Sequence, residues 1–129
     1  MLRDAPIMAI LPAKDIERAR AFYAEKLGLR AVDSPSVGGD AAFEGGDGTL
    51  LYVYEREGGT KADHTAAGWL VEDIEQAVEE LQRRGVEFEQ YDLPGLKTDE
   101  RCIAELGGAK SAWFKDSEGN TLAINEFSQ

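Results

Sequence analysis

Apolar residues are arranged along this chain in two alternating kinds of run, and the whole arrangement occurs twice. Residues 7–11 form a short apolar stretch, and beyond Asp15 the residues Ile16, Ala19, Tyr23 and Leu27 fall on one face of a helix. In the second half, 66–71 is the apolar stretch and Ile74, Ala77, Val78 and Leu81 share the helical face. The likeness reaches the residues themselves: Asp15-Ile16-Glu17-Arg18-Ala19 returns as Asp73-Ile74-Glu75-Gln76-Ala77. Each aspartate stands where an N-cap belongs, while Gly28 and Gly85 stand where a glycine ends a helix.

A second echo follows. Phe43-Glu44-Gly45-Gly46-Asp47-Gly48-Thr49-Leu50 resembles the run from Phe114 through Asp116, Gly119 and Asn120 to Leu122, which reads as strand, Gly/Asp turn, strand. The predicted strands are 7–11, 30–33, 41–45 and 49–55, then 65–71, 86–90, 110–116 and 121–127. The stretch 91–108 has no counterpart in the first half and reads as an inserted loop, with a short strand at 102–106. Neither half buries its helix and sheet faces alone, so one domain over 1–129 is expected. It is built of a module at about 5–57 and another at about 63–129.

Strand alternation separates two faces. In the last strand Leu122 and Ile124 point towards the helices, and Thr121, Ala123 and Asn125 point away; in the fourth, Leu51 and Val53 oppose Tyr52 and Tyr54. A sheet covered by helices on one face, with small residues on the other, leaves a groove. Two phenols there either stack on a ligand or pack against a dimer mate or a loop. Trp69 alternates onto the helix side, whereas a register slip of one would move Trp113 from core to groove.

Three segments together resemble the vicinal oxygen chelate superfamily, the glyoxalase I, bleomycin-resistance and extradiol dioxygenase group. They are Leu11-Pro12-Ala13-Lys14-Asp15-Ile16-Glu17-Arg18-Ala19 running into Phe22-Tyr23 and Lys26-Leu27-Gly28-Leu29, then Val71-Glu72-Asp73-Ile74, then Trp113-Phe114-Lys115-Asp116-Ser117-Glu118-Gly119-Asn120. The last is similar to the family's aspartate-proline-aspartate-glycine-asparagine turn, with Ser117 in place of the proline. The resemblance implies an α+β fold: two βαβββ modules forming a curved mixed sheet around a cleft, with helices on the outer face. Metal-dependent members hold a divalent ion there with four side chains, and the matching positions are Met8, Tyr52, Ala66 and Ala123. A thioether, a phenol and two methyl groups are not a donor set for such an ion, so no metal and no cofactor are expected.

Charge narrows the partners. Lys and Arg total 14 against 25 Asp and Glu, a net charge of -11 that repels nucleic acid and anionic membranes. The one cysteine, Cys102, forms no internal disulfide and reads as an inert buried thiol. The apolar run at 7–11 is too short for a signal-peptide core or a membrane span, so a cytoplasmic protein is expected. His64, the one histidine, reads either as a polar group at the cleft mouth or as a surface residue at a strand end. The insert at 91–98 reads as a flap over the cleft or as cover for a sheet edge.

The expected function is binding of an apolar or aromatic small molecule, in a cleft lined by Met8, Ile10, Tyr52, Tyr54, Ala66, Gly68, Leu70, Ala123 and Asn125, with His64 near its mouth. The alternatives are a lyase or isomerase that is metal-free or has an unconventional metal site, and a dimeric interaction module without ligand. A homodimer is expected in either case from the family resemblance.

Overall fold

The computed structural model describes residues 1–33 and 40–127. The chain divides into two compact units, Met1–Lys61 with Asp116–Asn120, and Ala62–Lys115 with Thr121–Gln129. Each unit carries a four-stranded mixed sheet and a helix, and the α+β class and strand–helix–strand order are those the sequence predicts.

The first unit runs β1 (Met8–Ala13), α1 (Ile16–Ala21), β2 (Arg30–Val32), β3 (Ala41–Glu44) and β4 (Leu50–Glu55), with sheet order β1-β4-β3-β2. β1 pairs in parallel with β4, placing Ile10 beside Tyr52 and Leu11 beside Val53. Asp15 caps α1 by accepting from the Arg18 amide at 3.1 Å. The predicted single helix departs from α geometry after Ala21, where Phe22–Lys26 form a π turn in which the Leu27 amide reaches the Phe22 carbonyl. Neighbouring residues on an α-helix point about 100° apart. The wider turn lets both Phe22 and Tyr23 face inwards, where they meet edge to face at 5.4 Å. Gly28, at φ 69°, then stops the helix. Leu11, Ala13, Leu51, Val53 and Phe43 form the buried face, with Tyr23 5.6 Å from Phe43.

The second unit runs β5 (Thr65–Leu70), α2 (Ile74–Arg83), a hairpin of β6 (Asp92–Leu93) and β7 (Leu96–Lys97), β8 (Ala104–Leu106), β9 (Ala109–Lys115) and β10 (Thr121–Phe127). Its sheet order is β5-β10-β9-β8, with β5 parallel to β10. Two carboxylates anchor the start of α2: Asp73 accepts from the Gln76 amide and Glu126 from the Ile74 amide at 2.9 Å. Ile74 and Val78 close the core over Ala112, Phe114, Leu122 and Ile124.

Two expectations change here. Residues 86–90 are not a strand; Phe88 makes only an isolated bridge to Phe114. β8 pairs with 109–111 of β9, and beyond it 86–90 meets that strand only around the Phe88 bridge, where the Glu89 amide donates to the Trp113 carbonyl at 2.8 Å. β8 therefore takes the position that β2 holds in the first unit. The insert, read from sequence as a loop with a short strand at 102–106, holds that strand as β8 and in addition the β6–β7 hairpin. Tyr91 and Thr98 clamp its base, the Thr98 amide donating to the Tyr91 carbonyl and the Tyr91 amide to Thr98 Oγ1, both at 2.9 Å.

Candidate functional site

Strand alternation in the first unit leaves one sheet face without a helix. Met8 and Ile10 on β1, and Leu50, Tyr52 and Tyr54 on β4, point to it; Met8 is 42% exposed and Ile10 57%. The phenols are half-buried. Tyr52 donates its hydroxyl to Asp40 Oδ2 at 2.5 Å, and Asp40 Oδ1 accepts from the Glu55 amide at 3.3 Å. Asp40 was not legible in the sequence, because it precedes β3 and shares no periodicity with Tyr52.

In the second unit the corresponding face carries Ala66, Gly68 and Leu70 from β5, Ala123 and Asn125 from β10, and Ser111 and Trp113 from β9. Leu70 is 66% exposed, whereas Ala123 is 3% exposed and offers almost no accessible surface. The register sets Gly68, Ala123 and Trp113 side by side across three strands, and Leu70, Asn125 and Ser111 in the next row. Trp113 thus lies on this face, packed at 5.5 Å against Tyr91. Trp69 lies on the other face, stacked 6.5 Å from Phe114. Burial raises the Tyr91 phenol above its ordinary value, and its hydrogen bond to Glu89 adds to the effect. His64 is exposed at the bend before β5. Cys102 is buried, with the Gln90 amide 3.6 Å from its sulfur.

Behind the first face, the turn Asp116–Asn120 ties down the start of α1. Glu118 accepts from the amides of Lys14 (3.0 Å) and Asp15 (2.9 Å), from Arg18 through Nε (2.7 Å) and Nη2 (3.0 Å), and from the Ser117 hydroxyl at 2.8 Å. Burial alone would raise this carboxyl, but those donors and the Arg18 charge prevail and bring it down to about 2. Asp116 accepts from Tyr23 at 2.5 Å and from Asn120, whose amide also reaches the Pro12 carbonyl. Burial, then the Asp116 charge, raises the Tyr23 phenol far above its ordinary value, so it stays a proton donor.

The profile of the Glyoxalase/Bleomycin resistance protein/Dioxygenase superfamily matches residues 6–124. The chain belongs to that superfamily. Solved glyoxalase-type structures share its fold. One from Bacillus anthracis matches at a TM-score of 0.71 with 20% identity, over 95% of this chain and 92% of that one. TnmS3, an antibiotic-binding protein from Streptomyces, matches at 0.69 with 22% identity over 99% of both chains. A glyoxalase/bleomycin resistance protein from Catenulispora acidiphila matches at 0.66 with 24% identity, covering 95% and 98%. A stretch of 87 residues is also 35% identical to the protein translocase subunit SecD of Acidaminococcus fermentans, spanning 62% of this chain but only 21% of that protein.

The superfamily's divalent ion finds no fitting donor set in these residues. Of the four matching positions, Met8 brings a thioether, Tyr52 a phenol engaged with Asp40, and Ala66 and Ala123 methyl groups. Among the described residues, no three His, Cys, Asp or Glu side chains gather as a metal site would need. No helix among them is long and apolar enough to cross a membrane.

Proposed function

We propose that this superfamily member binds an apolar or aromatic small molecule on the helix-free faces of its sheets, without the metal that other members use. The observation that carries the reading is the set of residues at the metal-ligand positions: Met8, Tyr52, Ala66 and Ala123 supply no donor set for an ion, and the open face of the first unit presents Met8 and Ile10 together with the phenols Tyr52 and Tyr54. That an antibiotic-binding protein shares the fold supports it. The partner set comprises this ligand and a second copy of the chain, with neither nucleic acid nor membrane, and the compartment is the cytoplasm. The test combines elemental analysis of dialysed protein with a thermal-shift and calorimetric screen of a small aromatic library. Metal-free protein that is stabilised by library members agrees with the reading. Equimolar metal that survives dialysis, or a library without a single binder, overturns it. Sedimentation equilibrium reads the dimer directly.

A further inference from the structure

Ser111 and Asn125 lie directly opposite each other on β9 and β10. Ser111 is buried, and its hydroxyl donates to Asn125 Oδ1 at 2.8 Å. On the other side Asn125 Nδ2 donates to the Trp69 carbonyl at 3.4 Å. A main-chain carbonyl only accepts, so the nitrogen end of the amide belongs at Trp69 and the oxygen end at Ser111. Nδ2 carries a second proton, for which the described residues provide no acceptor. This nitrogen stands 3.0 Å from where a Cβ on Gly68 would be, and Gly68 is exposed. The half-buried Asn125 amide thus stands beside the Gly68 backbone and the Ala123 carbonyl, with no side chain on Gly68 to cover it.

We infer that Ser111 is a positioning residue that fixes the Asn125 amide so that the site presents a hydrogen-bond donor, and that the ligand is a planar aromatic compound carrying a neutral acceptor such as a ketone oxygen. The inference rests on the binding reading above and narrows its ligand class. An amide free to turn over would serve donors and acceptors equally; one held from both ends discriminates between them. A net charge of -11 disfavours an anionic acceptor, which leaves carbonyl or ether oxygen.

The test compares chromone with naphthalene, two flat bicycles of similar size of which only chromone has a carbonyl. Binding is followed by calorimetry, and by the two indole N–H signals of the 15N-labelled protein, assigned with Trp113→Phe. Chromone is expected to bind about tenfold tighter than naphthalene, the worth of one well-placed hydrogen bond, and to move the Trp113 signal. Ser111→Ala should remove that preference and leave naphthalene unchanged, and Ser111→Thr, which keeps the hydroxyl, should restore it. Asn125→Asp, which replaces the donor by an acceptor, should reject chromone and retain naphthalene; it carries the test where Ser111→Ala does not fold. Equal binding of both probes to the wild type overturns the inference, as does equal weakening of both by Ser111→Ala. If neither probe binds while other library aromatics do, the inference fails and the binding reading stands. If no aromatic binds, both fail.

Discussion

Replacing Glu118 by glutamine tests the account of the first unit most directly. The carboxylate side chain is fully buried, while Arg18 opposite it is about half exposed. Its fall from an ordinary 4.5 to about 2 corresponds to about 3 kcal/mol of folding stability, because the folded state then holds the ionised form more tightly than the unfolded chain does. Solvent screening at the exposed guanidinium trims this, so Glu118→Gln is expected to cost about 2–3 kcal/mol at neutral pH. For a chain of this length that lowers the melting temperature by roughly 6–10 °C. The sign of the pH dependence follows from the lowered folded-state value. The stabilisation is complete above pH 4.5, where the unfolded carboxyl is ionised, and is lost as pH falls through about 2. Wild type and variant should therefore differ most at neutral pH and converge between pH 4.5 and 2. Urea titrations monitored by circular dichroism at several pH values give the difference. A gap that stays constant from pH 6 to pH 2, or a variant as stable as the wild type, refutes the reasoning.

Tyr23→Phe keeps the buried ring but withdraws a donor from Asp116, and it should cost about 1–3 kcal/mol in the same titrations. Tyr52→Ala should weaken binding of any aromatic library hit more than it weakens the fold. A loss near the 3–5 kcal/mol typical of a fully buried aromatic, with binding untouched, would instead place Tyr52 in a core or an interface. Replacing 92–97 by a Gly-Ser turn should leave the fold intact, because loop closure entropy changes slowly with length. If the hairpin is a flap, stopped-flow dissociation of a library hit becomes faster; an unchanged rate makes it a surface hairpin only.

The helices could be read from sequence because their signals are local. Asp15 and Asp73 cap through amides three residues ahead, and Gly28 and Gly85 terminate through their own positive φ. Faces of β4 and β10 were readable for a similar reason, since alternation is a property of neighbouring residues. What stayed hidden depends on pairing across long stretches of chain. β8 pairs along 109–111 of β9 while 86–90 meets that strand only at a bridge, although the latter has the better apolar alternation. Ser111 gains meaning only through its register against Asn125, and the side of the sheet on which Trp113 lies follows from the same register. Glu118 looked like a turn residue; nothing near it in sequence announces the amides of Lys14 and Asp15 as its partners.

The membership of Asp116–Asn120 in the first unit bears on how this gene could be divided. The repeat invites an experiment in which each half is expressed on its own, as though a duplicated ancestor were being recovered. A fragment ending at Lys61 would lack the carboxylate that receives the Lys14 and Asp15 amides just ahead of α1, the aspartate that receives the Tyr23 hydroxyl, and the amide that holds the Pro12 carbonyl. The first unit is thus completed by residues that lie in the second half of the sequence. Supplying 112–124 in trans as a peptide is a more informative complementation than supplying the helix, because the peptide carries the missing acceptors while the helix lies within the first half already.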